Sequence, residues 1–84
     1  MMFTIVLSEL AENFLKKVPK RDQEIILRKI YSLRDNPYPH LKKLQGNKLW
    51  RLRIMDYRAI IDLVVKTDTI YVVRIGHRRN VYDG

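Results

Sequence analysis

From Leu49 to Asp62 the chain reads Leu-Trp-Arg-Leu-Arg-Ile-Met-Asp-Tyr-Arg-Ala-Ile-Ile-Asp. Apolar and charged residues alternate up to Ile54, which is the period of a strand with one face buried, and Met55-Asp56 is the length of a tight hairpin turn. A two-residue turn fixes the register. Ile54 then pairs with Tyr57, Arg53 with Arg58, Leu52 with Ala59 and Trp50 with Ile61. One face carries Trp50, Leu52, Ile54, Tyr57, Ala59 and Ile61, and the other carries Arg51, Arg53 and Arg58. Two arginines directly opposite each other weaken a sheet. A chain that keeps them there is holding positive charge for an anion.

The 84 residues suffice for one domain, spanning 1–84, with a single modest core. The absence of cysteine excludes a disulfide framework, a thiolate metal site and a cysteine nucleophile. The opening Met1-Met2-Phe3-Thr4-Ile5-Val6-Leu7 has neither a basic leader nor a long apolar run, so a soluble, cytoplasmic protein without a membrane segment is expected. The formal charge of +8 favours an anionic partner: nucleic acid first, an acidic protein second, a membrane surface third. A robust Lys- and Arg-rich surface without a partner is the plain alternative. Clustering separates the two, and here the charge is clustered.

Phe3 to Leu7 reads as a buried strand. Ser8 is placed to cap a helix, with Glu9 and Glu12 in its first turn, where the helix dipole favours acids. Leu7, Leu10, Ala11, Phe14, Leu15 and Val18 recur at helical spacing, so Ser8 to Val18 is an amphipathic helix ended by Pro19. A second helix begins near Arg21, turns Ile26, Ile30 and Leu33 inward, widened by Ile25 and Leu27, and stops at Asp35-Asn36-Pro37. The residues from Leu41 to Leu44 suggest a short edge strand before Gly46-Asn47. Ile70 to Arg78 resumes strand composition.

A three-residue Thr67-Asp68-Thr69 loop would set Val65 against Tyr71, Leu63 against Val73, Ile61 against Ile75 and Asp62 against Arg74. Arg78 would then face Arg58. A four-residue loop that opposes Asp62 to Val73 and Ile61 to Arg74 is rejected on these pairings. The expected fold is α+β: an N-terminal strand, a two-helix hairpin and an antiparallel β-meander, with the helices on one face of the sheet. The other face is expected to be open and basic.

Four guanidinium groups, Arg51, Arg53, Arg58 and Arg78, converge on that open face. Their planar, permanently charged forks suit phosphate oxygens and charge developing on a phosphate in reaction, but groups that stay protonated throughout are poor proton carriers. Lys48, Arg74 and Arg79 are further candidate contacts to a nucleic-acid backbone. Tyr82 either stacks on a base or packs on the sheet rim. His77 is the one histidine near the cluster; strand alternation turns it toward the helices, and a bulge at Gly76 would reverse that. His40 sits in a loop without chemical partners. Trp50 and Tyr57 fall on the core-facing side and read as structure. No metal-ligand set, paired catalytic carboxylates or glycine-rich phosphate loop occurs, so neither a metal nor a cofactor is implied.

Taken together, Leu44-x-Gly46, Trp50-Arg51-x-Arg53, Asp56-Tyr57-Arg58 and Gly76-His77-Arg78-Arg79-x-Val81-Tyr82, after a strand and two helices, resemble the RelE/ParE superfamily of toxins from toxin-antitoxin systems. The RelE branch implies a ribosome-dependent endoribonuclease that cuts mRNA in the A site by attack of a ribose 2′-hydroxyl on the adjacent phosphate. By the same resemblance, Arg58 and Arg78 match arginines that stabilise the transition state and assist the leaving group. Arg51 and Arg53 match positions often held by lysine, one of them a proposed base, and Tyr82 matches a C-terminal tyrosine that stacks on or orients RNA. With arginine at the lysine positions the proton acceptor is open between His77, Tyr82 and a ribosomal group, or catalysis rests on positioning and electrostatics alone.

The resemblance also implies a RelB-like antitoxin with a flexible, acidic segment, in a heterotetrameric complex, with the 70S-type ribosome and mRNA as the other partners. The ParE branch implies a DNA gyrase inhibitor instead. A non-catalytic basic module that binds RNA or DNA is the third reading.

Overall fold

A computed structural model describes residues 2–77. A short strand β1 (Thr4–Leu7) leads into helix α1 (Glu9–Lys17), and helix α2 (Lys20–Tyr31) continues into a 3-10 turn over Ser32–Arg34. A second 3-10 turn (Tyr38–His40) precedes β2 (Lys42–Lys43), β3 (Trp50–Ile54), β4 (Tyr57–Val64) and β5 (Thr69–His77). The strands form one mixed sheet in the order β1-β5-β4-β3-β2. Both helices lie on one face, as the amphipathic patterns require.

Ser8 opens α1 as expected: its Oγ accepts the Ala11 N–H at 3.1 Å, and Glu9 and Glu12 occupy the first turn. Its hydroxyl also donates to the Val73 carbonyl at 2.6 Å, tying the helix start to β5. Pro19 separates the helices and is the N-cap of α2. Ala11 and Leu15 of α1 and Ile26 and Ile30 of α2 meet Leu52, Ile54, Ala59, Ile61, Ile70, Val72 and Ile75 of the sheet in a core. The Tyr57 hydroxyl donates to Asp22 Oδ2 at 2.6 Å, which anchors the first turn of α2 to the β4 end of the hairpin. That bond, then burial, then the negative charges of Asp22 and Asp56 raise the phenol pKa above its ordinary value.

The β3–β4 register is the expected one, from Ile54 opposite Tyr57 to Trp50 opposite Ile61. Met55 takes a left-handed φ of 51° to close the turn. The β4–β5 register corrects the expectation. The loop has four residues, Val65 to Asp68, because Val65–Thr67 form a 3-10 turn and Asp68 closes it at φ 50°, a conformation aspartate tolerates. Val64 therefore faces Thr69, Leu63 faces Ile70, Asp62 faces Tyr71 and Ile61 faces Val72. Past an irregularity between Ile60 and Ile61 the pairing shifts, so that Arg74 faces Ile60 and not Asp62, and Ile75 faces Ala59. Gly76, not Arg78, stands opposite Arg58.

The physical reason lies in Ile70-Tyr71-Val72-Val73, where both strand parities are apolar and alternation alone decides nothing. The fold buries the aliphatic Ile70 and Val72 and leaves Tyr71 outward. Val73 is then the extra residue of a β-bulge, which changes phase so that Ile75 and not Arg74 enters the core.

Two further expectations are corrected. β1 is an edge strand and not a buried one: its residues alternate between exposed and half-buried, and it pairs parallel to β5, Ile5 opposite Ile70. Nor is the open face wholly basic. Leu44 and Ile60 are buried there with Leu49 and Val73 packed on them.

Candidate nucleic-acid interface

Alternation along β2–β5 sets the open face in rows that run across the strands. One row is Lys42, Arg51, Ile60 and Arg74, and the next is Arg53, Arg58 and Gly76. Ile60 and its apolar neighbours form the floor between the cations. Gly76 brings no side chain to the second row and is itself buried. Arg53 and Arg74 are exposed, while Arg51 and Arg58 are half-buried and Arg58 Nε is fully covered. The interface thus contains two held guanidinium groups and two exposed ones. Lys42 belongs to it and was overlooked; its alternation with Lys43 in so short a strand was the available signal.

Of the expected residues, the structure brings Arg51, Arg53, Arg58 and Arg74 to one face. Lys48 is exposed at the β4 side, with Nζ 3.7 Å from Asp62 Oδ2. His77 lies opposite Tyr57 on the other face, its ring 5.1 Å from that of Tyr57 and 5.8 Å from that of Phe14. The bulge falls at Val73 and not at Gly76, so the helix-side orientation of His77 stands. Arg78, Arg79 and Tyr82 lie outside the described residues. Among the described residues, no three His, Cys, Asp or Glu side chains gather as metal ligands.

Arg53 also borders a cleft of about 550 Å³ between α2 and the hairpin, shared with Arg28, Lys29, Ser32, Ile25, Ile54 and Met55. β2 pairs with β3 only at Trp50 and Arg51, so this end of the β3 edge is not covered by it. What the arrangement offers chemically is a set of fixed donors and positive charge spaced along a strand. Such a set binds phosphodiester oxygens and stabilises negative charge on them.

Two helices on a five-stranded mixed sheet, with arginines across the opposite face, define a small α+β protein of the RelE fold. Solved structures with this fold include a chain of the toxin-antitoxin complex RelBE2 from Mycobacterium tuberculosis, 20% identical over 95% of both chains with a TM-score of 0.85. A chain of the archaeal RelE-RelB complex from Pyrococcus horikoshii is 24% identical over 96% of this chain and 100% of that one, with a TM-score of 0.82. A chain of the RelB-RelE antitoxin-toxin complex from Methanococcus jannaschii is 26% identical over 93% of this chain and 95% of that one, with a TM-score of 0.72. No curated protein sequence matches the chain. The profile of the ParE toxins of type II toxin-antitoxin systems (parDE) matches residues 5–82, and the chain belongs to that family.

Proposed function

We propose that this toxin is a ribosome-dependent endoribonuclease that cleaves mRNA in the A site and so stops translation. The observation that carries the reading is the rung Arg53–Arg58, beside the row of Lys42, Arg51 and Arg74, on the sheet face opposite the helices. Arginines gathered on one face concentrate positive charge and planar donors there, and a phosphodiester in reaction carries more negative charge than one at rest. The 2′-oxygen forms a bond to phosphorus as the phosphorus–5′-oxygen bond breaks. The 2′-hydroxyl proton leaves to an acceptor, and a proton reaches the departing 5′-oxygen. Arg58 and Arg53 donate to the non-bridging oxygens during this exchange, and Arg78 assists the leaving group. Arg51, Arg74, Arg79 and Lys48 hold the backbone on either side, and Tyr82 orients the RNA.

The proton acceptor is drawn from His77, Tyr82 or a group of the ribosome. The His77 ring faces Tyr57 and Phe14, away from the arginine rows, which favours the other two. A RelB-like antitoxin with an acidic segment, joined to the toxin in a heterotetramer, would cover a surface of this charge. Work on ribosomes is work in the cytoplasm.

Primer extension on a defined mRNA, with and without ribosomes carrying an empty A site, tests the proposal. Cuts are expected only with ribosomes, and Arg58→Ala should lower the rate about a hundredfold to a thousandfold while weakening RNA affinity modestly. Equal losses of rate and affinity would argue for a binding module, and no cuts from a folded, antitoxin-free toxin would sink the reading. The match to the ParE toxin family supports a second one, the inhibition of DNA gyrase that resemblance to the ParE branch implies. A supercoiling assay inhibited by the toxin, without RNA cuts, would favour it.

A further inference from the structure

At the end of the β3–β4 pair away from the Met55 turn, a cleft of about 480 Å³ opens between the Tyr38–His40 turn and the strands. Its aromatic wall is Trp50 and Tyr38, with ring centroids 5.8 Å apart at 73°. The pairing of Lys43 with Trp50 puts both on the same side of the sheet, and Lys43 Nζ stands 5.1 Å from the Trp50 ring centroid. Lys48 and Lys66 complete the rim, both exposed. One acid shares the lining, Asp62, and Lys48 already neutralises it in part.

Sequence alternation placed Trp50 in the core, but its ring is only half-buried and Tyr38 is 47% exposed. Trp50 packs against the core cluster, and the Lys43 cation lies over its ring. An aromatic wall ringed by three lysines, with a single carboxylate acceptor, matches the parts of a nucleotide. A base stacks on the exposed Tyr38 ring or on Trp50 in place of Lys43, the lysines meet the flanking phosphates, and Asp62 accepts from a base amino group. The volume falls within the range of small-ligand sites, roughly 300–1,000 Å³.

We propose that this cleft is a second subsite for single-stranded RNA, holding one nucleotide about 10 Å along β3 from Arg53 but on the other side of the sheet, so that an RNA engaging both passes around the β2–β3 edge. The base must be unpaired, since one stacked in a duplex has no face to offer Trp50. The choice of RNA among polyanions rests on the function proposed above. The test reads binding and not cleavage, so the two can fail separately.

Trp50 is the sole tryptophan of the chain, and its fluorescence therefore reports on this cleft alone. The full chain is titrated with a 2′-O-methyl single-stranded hexanucleotide, which cannot be cleaved, while a label on the RNA follows total binding. Saturable quenching of Trp50 in parallel with binding is the expected result. Tyr38→Ala should weaken binding about fivefold or more, as removal of a stacking ring does. Lys43→Ala with Lys66→Ala should reduce the salt slope of log K by about 1.4, or about 0.7 for each phosphate left without its lysine. Arg53→Gln should weaken binding yet leave the quenching at saturation intact. Binding without any change in Trp50 fluorescence would overturn the proposal. So would equal quenching by duplex RNA or by polyglutamate, or wild-type affinity in Tyr38→Ala.

Discussion

Replacing Arg53 by Gln should make the protein more stable. Arg53 and Arg58 share one rung of the β3–β4 ladder, Arg53 exposed and Arg58 half-buried. Two unit charges about 7 Å apart in water repel by about 0.6 kcal/mol, and cross-strand pairs contribute roughly 0.2–1 kcal/mol. Glutamine keeps a long polar side chain on the strand and removes the charge. A gain of about 0.5 kcal/mol at low salt is expected, a rise in Tm of about 2–4 °C for a domain of this size. In about 1 M salt the Debye length falls to roughly 3 Å, and the gain should vanish. Urea, being uncharged, is the denaturant to use, with unfolding followed by circular dichroism at about 20 mM and about 1 M NaCl. The slope m should not change. Loss of stability in the variant, or a gain indifferent to salt, would refute the view that the two guanidinium groups of this rung repel each other.

Tyr57→Phe removes the 2.6 Å bond to Asp22 while keeping the ring, and should cost about 1–2 kcal/mol, because Asp22 is only half-buried and can take water in exchange. The folded phenol holds its proton more tightly than the unfolded chain, so this contribution is fully present below about pH 10 and is lost as pH rises through the raised folded value. Urea titrations of both proteins between about pH 8 and pH 11 should show their difference narrowing at the alkaline end. Ser8→Ala breaks the cap of α1 and the bond to Val73 together, for about 2 kcal/mol in the same assay. Ser8→Thr should restore most of that loss.

The β3–β4 hairpin was legible because a two-residue turn leaves no freedom of register, and its apolar and charged residues sort cleanly onto two faces. Both helices were legible for similar reasons: Ser8, Pro19 and the spacing of Ile26, Ile30 and Leu33 each point to one structure. The β4–β5 pairing was not. Val72 and Val73 are equally apolar, so no rule of alternation reveals that one of them is the extra residue of a bulge. Cross-strand charge matching then misled, since it joined Asp62 to Arg74, where the fold gives Asp62 to Lys48. The arginine face survived the error because Arg51, Arg53 and Arg58 depend on the hairpin alone. Arg74 reaches that face only through the bulge. The cleft at Trp50 was hidden because parity tells which way a side chain points and not whether anything covers it.

The parallel pairing of β1 with β5 has a consequence for how the protein is made. Thr4 finds its partner at Thr69, so the first strand to leave the ribosome cannot enter the sheet until the last one follows. At roughly 5–20 residues per second, β1 and the two helices wait several seconds with their apolar faces uncovered. Nor can the Val73 carbonyl receive the Ser8 hydroxyl before then. A nascent chain therefore holds arginines along a hairpin but lacks β5, whose Arg74 and Gly76 end the two rows. The two rows of the arginine face are complete only once residues 69–77 have been synthesised.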